Sequence, residues 1–191
     1  MNVANVSTDV QERLRRIRVD EYHRMIEAGI LAEDEGVQLV DGMLVAMTPQ
    51  GRAHAYVIQE LTRAFVGQVD DGFRVLSQLP LTLSDDSEPE PDLAIVGARE
   101  AGSTERHPGS AVLVVEVAGD SLRLDRRTKA AMYARNGIPE YWIVNLAEAV
   151  VEIHADPDPS GLYRSVSVRR RGETAAARSV AVSVDVGSLF P

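Results

Sequence analysis

The chain of 191 residues is 45% hydrophobic and 26% charged, the balance of one globular domain with a sizeable core. With 14 glycines, 9 prolines and no cysteine, the composition excludes collagen, low-complexity disorder, a disulfide scaffold and any thiol nucleophile or thiolate metal site. A formal net charge of -9 gives no global positive field for nucleic acid, so basic residues would have to act locally. The N-terminus lacks a basic start followed by an apolar run, and the apolar stretches are too short to span a bilayer, which predicts no membrane partner and a cytoplasmic location.

Residues 1–18 carry little hydrophobic periodicity and read as a loose arm, with a single domain over 19–191. Asp20 to Ala28 reads as a short helix stopped by Gly29. Gly36 to Val40 and Met43 to Met47 flank Asp41-Gly42, which predicts a hairpin. Within His54 to Val69, Ile58, Leu61 and Phe65 recur at helical spacing, and His54 falls on their side. Phe73 to Leu83 reads as a strand. The polar, proline-punctuated loop Ser84 to Pro91 delivers Asp92 to the head of the strand Leu93 to Val96, and a second loop spans Gly97 to Ser110.

Ala111 to Ala118 is apolar on both sides of its pleat apart from Glu116, which predicts a central strand with both faces covered. Gly119-Asp120-Ser121 supplies a turn and a helix cap. Leu122 to Asn136 then reads as one helix, stopped by Gly137 and Pro139. Glu140 to Asn145 and Val150 to His154 read as strands, 156–161 as a loop, and Tyr163 to Arg169 as an antiparallel edge strand with one wet face. Val180 to Val184 and an anchor at Leu189-Phe190 close the chain. There is no internal repeat, and the Arg-rich pieces at 13–18 and 169–171 read as solvated faces.

Three residues are the candidates for chemistry: Asp92, Glu116 and Lys129. A carboxylate in a strand of Val, Leu and Ala costs several kcal/mol unless it is paired or bound to a cation, so Glu116 needs a partner. With Asp92 on a neighbouring strand it would offer two hard oxygen ligands to Mg²⁺ or Mn²⁺, leaving positions for water and a phosphate oxygen. Such an ion polarises the phosphate and lowers the pKa of bound water. The structural alternative is a buried Glu paired with an Arg. Lys129 is the only lysine, the other basic residues being arginines. At about 100° per residue, Asp125, Met132 and Tyr133 lie within roughly 60° of it, whereas Arg123, Arg127 and Arg135 point elsewhere. A compact ammonium of adjustable pKa suits water orientation or stabilisation of a phosphorane-like charge, whereas an Asp125–Lys129 surface pair would be worth only about 0.3 to 0.5 kcal/mol. His54 is a fourth candidate, as ligand or proton carrier, against the commoner role of a hydrogen-bonded core histidine. Gln78 is a weaker candidate of the same sort.

Pro91-Asp92-Leu93-Ala94-Ile95-Val96, Val115-Glu116-Val117-Ala118, Asp125-Arg126-Arg127-Thr128-Lys129, Tyr133-Ala134 and Gly137 to Val144 together resemble the Uma-two family of restriction endonucleases, within the PD-(D/E)XK nuclease-like superfamily. The resemblance covers roughly Val19 to Phe190. It implies an α/β restriction-endonuclease-like fold: a central mixed sheet flanked by helices in the order αβββαβ, with an N-terminal helix and hairpin and C-terminal antiparallel strands. It also implies divalent-metal-dependent phosphodiester cleavage, with Asp92 and Glu116 as metal ligands and nucleic acid, DNA before RNA, as substrate. The superfamily pattern expects lysine where this chain has Ala118; in the Uma-two family it moves to the next helix, onto Lys129.

Gly119-Asp120-Ser121-Leu122 mimics the nucleophile block of GDSL ester hydrolases, but the one D-x-x-H, Asp20 to His23, lies upstream on another element, so no Ser/His/Asp arrangement follows. The four histidines show no metal-binding spacing, and there is no phosphate-cradling Gly-rich loop. A nuclease-fold interaction module without catalysis is the rival from another class. Tyr141-Trp142 and the strand Tyr163 to Arg171 are the candidate surfaces for a homodimer, with a core role the alternative for the two aromatics.

Overall fold

The computed structural model describes residues 14–32, 35–47 and 49–190. Most of the expected N-terminal arm, residues 1–13, lies outside them, while residues 14–18 follow the first hairpin, Ile17 N–H donating to Gly42 O at 2.9 Å. Helix α1 (Val19–Glu27) leads into β1 (Val37–Val40) and β2 (Met43–Ala46). Asp41 and Gly42 take φ of 48° and 72°, the left-handed pair that an Asp-Gly hairpin turn requires, and a Cβ on Gly42 would collide with Arg16.

A six-stranded mixed sheet follows, in the order β3 (Phe73–Ser77), β4 (Leu93–Gly97), β5 (Leu113–Ala118), β6 (Glu140–Asn145), β7 (Val150–Asp158), β8 (Leu162–Arg170). Only β5 and β6 run parallel, joined through the helical segment 122–135 that crosses one face. Helix α2 (Arg52–Val66) covers the other. Odd-numbered Leu113, Val115 and Val117 of β5 pack with Val57, Ile58, Leu61 and Phe65 of α2 and with Trp142. Even-numbered Val114 and Ala118 pack with Met132, Tyr133 and Tyr141. The expected αβββαβ order is therefore present, and the strand period of two decides which helix each β5 side chain meets. The C-terminal segment, β9 (Thr174–Ala176) paired with β10 (Ser183–Asp185) and a 3₁₀ turn Val186–Leu189, closes the α2 side.

Several expected boundaries move. The strand expected over Phe73 to Leu83 stops at Ser77, because Gln78 turns left-handed (φ 54°) and its N–H donates to Asp92 O at 3.2 Å. The loop expected over Gly97 to Ser110 opens with helix α3 (Ala98–Ala101). The helix expected over Leu122 to Asn136 is interrupted: α4 (Leu122–Leu124) passes into a π turn, Asp125–Lys129, before α5 (Ala130–Arg135). β7 runs on to Asp158, past a left-handed Asp156 (φ 60°), so much of the loop expected over 156–161 is strand. Tyr141 and Trp142 are fully buried, which settles them as core. No helix among the described residues is long and apolar enough to cross a membrane.

Candidate active site

Asp92 ends the loop 84–91 and enters β4; Pro89 and Pro91 hold that approach extended. Its Oδ2 accepts the Val117 N–H of β5 at 2.7 Å, tying the carboxylate to the neighbouring strand. Glu116, one residue before, faces the helical segment by strand alternation and is only 4% exposed. Lys129, equally buried, places Nζ 2.8 Å from Glu116 Oε1, and Tyr133 OH donates to the same oxygen at 2.8 Å. The partner that a buried Glu116 requires is thus lysine and tyrosine rather than arginine.

The π turn shapes the rest. Asp125, 1% exposed, has Oδ1 3.9 Å from Lys129 Nζ, and its Oδ2 accepts Ser121 Oγ at 2.6 Å. Ser121, expected to cap the helix with its side chain, makes no such cap bond and is spent on Asp125 instead. From α2, His54 brings Nε2 to 3.2 Å from Asp92 Oδ2. Gln78 lines the same cavity, about 430 Å³ in volume, with His54, Asp92, Glu116, Asp125 and Lys129. All four sequence-predicted site residues and Gln78 therefore meet in one place.

The electrostatics follow from this crowding of acids. Burial pushes the Glu116 carboxyl up to about 8, opposed chiefly by Lys129. Lys129 is disfavoured as a cation by its own burial, but Glu116 and Asp125 more than compensate and hold its pKa above the ordinary lysine value. Burial raises Asp125 as well, against the pull of Lys129. Burial works against a charge on His54, yet Asp92 and Glu116 carry its pKa above the usual histidine value.

Sequence reasoning did not single out Glu90 or Gln38 as site residues. Both line the cavity, and Gln38 Oε1 accepts the Glu90 N–H at 3.2 Å. Burial and the neighbouring Glu88 raise the Glu90 carboxyl. The signal was present for Glu90: in the extended Glu90-Pro91-Asp92, residues two apart point to the same side. Gln38 had none, because its place depends on how the hairpin docks over the loop.

A family model described as "Putative restriction endonuclease", Uma2, matches residues 19–186. The chain belongs to the Uma2 family. Among solved structures, this Uma2 chain is similar to a "putative nuclease belonging to DUF820" from Anabaena variabilis, at 16% identity and a TM-score of 0.71, over 91% of this chain and 97% of that one. That likeness supports the nuclease-like fold. The type IIG restriction endonuclease BpuSI matches at 18% identity and a TM-score of 0.35, over 58% of this chain and 12% of that one. No curated protein matches.

The donor set of this Uma2 chain suits a hard divalent cation. Glu116 Oε2 and Asp92 Oδ1 have no hydrogen-bond partner among the described residues, and both side chains line the cavity. Asp125 Oδ1 is buried without a hydrogen-bond partner. No preformed cluster of three or more His, Asp or Glu ligands exists among the described residues. Two carboxylates, with remaining positions left to water and phosphate oxygens, are the coordination that Mg²⁺ takes.

Proposed function

We propose that the protein is a divalent-metal-dependent endonuclease that hydrolyses phosphodiester bonds of nucleic acid, DNA in the first instance. The observation that carries this reading is the division of labour at Glu116. Its Oε1 is taken by Lys129 and Tyr133, and its Oε2 is left to the cavity beside Asp92.

Asp92 and Glu116 would hold Mg²⁺ or Mn²⁺, which when bound polarises the phosphate and acidifies a water. Lys129 keeps its ammonium between Glu116 and Asp125, where it orients an attacking water and offsets the charge that grows on the phosphoryl oxygens. Tyr133 fixes the Glu116 carboxylate in that orientation. His54 steadies Asp92 and stands ready to pass a proton at Nε2.

Incubation of the purified protein with plasmid DNA and with RNA, in Mn²⁺, Mg²⁺ and EDTA, tests this. Nicking that needs the metal and disappears in Asp92→Asn and Lys129→Ala supports the assignment. Intact DNA and RNA under every metal would overturn it in favour of a nuclease-fold module without catalysis.

A further inference from the structure

The π turn that carries Lys129 is gripped from the sheet at a second point. Glu116 on β5 is paired with Ile143 on β6, and Ile143 with Glu152 on β7, so the two glutamates stand in one row on one face. With strands about 4.8 Å apart, their backbones are separated by roughly 10 Å. Lys129 binds the first carboxylate. Arg126 binds the second with both arms, Nε to Oε2 at 3.0 Å and Nη2 to Oε1 at 2.6 Å. On a regular α-helix two side chains three residues apart point only about 60° apart around the axis, with their Cβ atoms roughly 5 to 6 Å from each other. The wider π turn lets one cation reach each carboxylate.

Glu152 is built into this position. Its side chain is 7% exposed, and Asn145 Nδ2 donates to Oε1 at 3.2 Å. Asn145 is fully buried, and its Oδ1 accepts the Ala147 and Glu148 N–H groups, which locks the turn between β6 and β7. Arg127, between the two cations in sequence, is exposed and makes no ion pair among the described residues.

We infer that Arg126 and Glu152 are positioning residues, and that the row Glu116–Ile143–Glu152 sets the register of the π turn and with it the location of the Lys129 ammonium. π turns concentrate at functional sites, and a site amine displaced by an ångström costs up to about a hundredfold in rate. The inference rests on Lys129 being the site amine of the proposed function, but its test does not depend on cleavage.

Lys129 is the only lysine, so protein labelled with ε-¹³C-lysine gives one lysine Cε signal. Arg126→Gln and Glu152→Gln are expected to shift that signal and to lower kcat by roughly 10- to 100-fold with KM unchanged, the scale of a lost supporting contact. Arg127→Gln, which removes the same charge from the same turn, is expected to change neither. Glu152→Gln is nearly isosteric and keeps the Asn145 contact, so it remains decisive should Arg126→Gln fold poorly. A lysine signal that superimposes on the wild type in both variants, or that shifts equally in Arg127→Gln, overturns the inference. Absence of cleavage by the wild type sinks the proposed function, while the signal still decides the register.

Discussion

At the scale of single residues, Glu116 and Lys129 illustrate what a buried pair does and does not contribute. Removing one partner of a buried pair strands the other, at a cost of about 3 to 5 kcal/mol, whereas removing both charges is often neutral. Lys129→Met is therefore expected to lower the denaturation midpoint markedly, and Glu116→Gln/Lys129→Met to recover most of the loss, with nicking absent from both. Urea unfolding of the two variants and the wild type measures this. A double variant as unstable as the single one would mean that the pair is held for stability rather than chemistry. His154 makes a different point. Its ring lies among Tyr141 and Tyr163, at centroid distances of 5.7 and 5.8 Å, and Nε2 is buried without a hydrogen-bond partner, 3.9 Å from Glu152 Oε2. Burial depresses its pKa below the ordinary value, opposed by Glu152. A depressed folded-state pKa contributes stability that is present above the unfolded value, about 6.5, and is lost as pH falls through the folded one. Replacement by Phe is expected to flatten the fall in Tm between about pH 7 and pH 5. Equal slopes for the wild type and His154→Phe would refute that role.

At the scale of elements, the segment 122–135 shows where periodicity misleads. A uniform turn of about 100° per residue puts Asp125 and Tyr133 on one stripe with Lys129, and all three are indeed buried. The π turn between them was invisible, because nothing in Asp125 to Lys129 forbids an α-helix; the docking of Arg126 and Lys129 on two carboxylates favours it. The C-terminal segment is held by a comparable contact. Glu140 is fully buried, with Oε1 accepting Trp142 Nε1 at 2.8 Å and Oε2 accepting the Arg178 and Ser179 N–H groups at 2.7 and 3.3 Å. Glu140→Gln can satisfy only part of this acceptor set, so amide exchange over 177–186 is expected to accelerate while exchange in β5 and β6 stays slow. Uniform acceleration through the sheet would show that the clip serves global stability instead.

At the scale of the molecule, the four candidate site residues, spread from 54 to 129, come from α2, the entry to β4, β5 and the 122–135 segment, and none of these elements holds the site alone. The sheet order brings them together: antiparallel β4 and β5 set Asp92 beside Val117, and the parallel crossover from β5 to β6 lays Lys129 over Glu116. The sequence by itself determined which residues would be chemically conspicuous, because an acid in a strand of valines and a sole lysine on a packing face each create a demand that folding must meet. It also determined the order of elements, since strand and helix periods are written locally. Only the tertiary structure decided how those demands were met. Which oxygen of Glu116 Lys129 and Tyr133 would occupy, that Ser121 would serve Asp125, that Gln38 and Glu90 would line the cavity, and that the helix would widen at Arg126 all depend on contacts between segments remote in sequence, which no local pattern encodes.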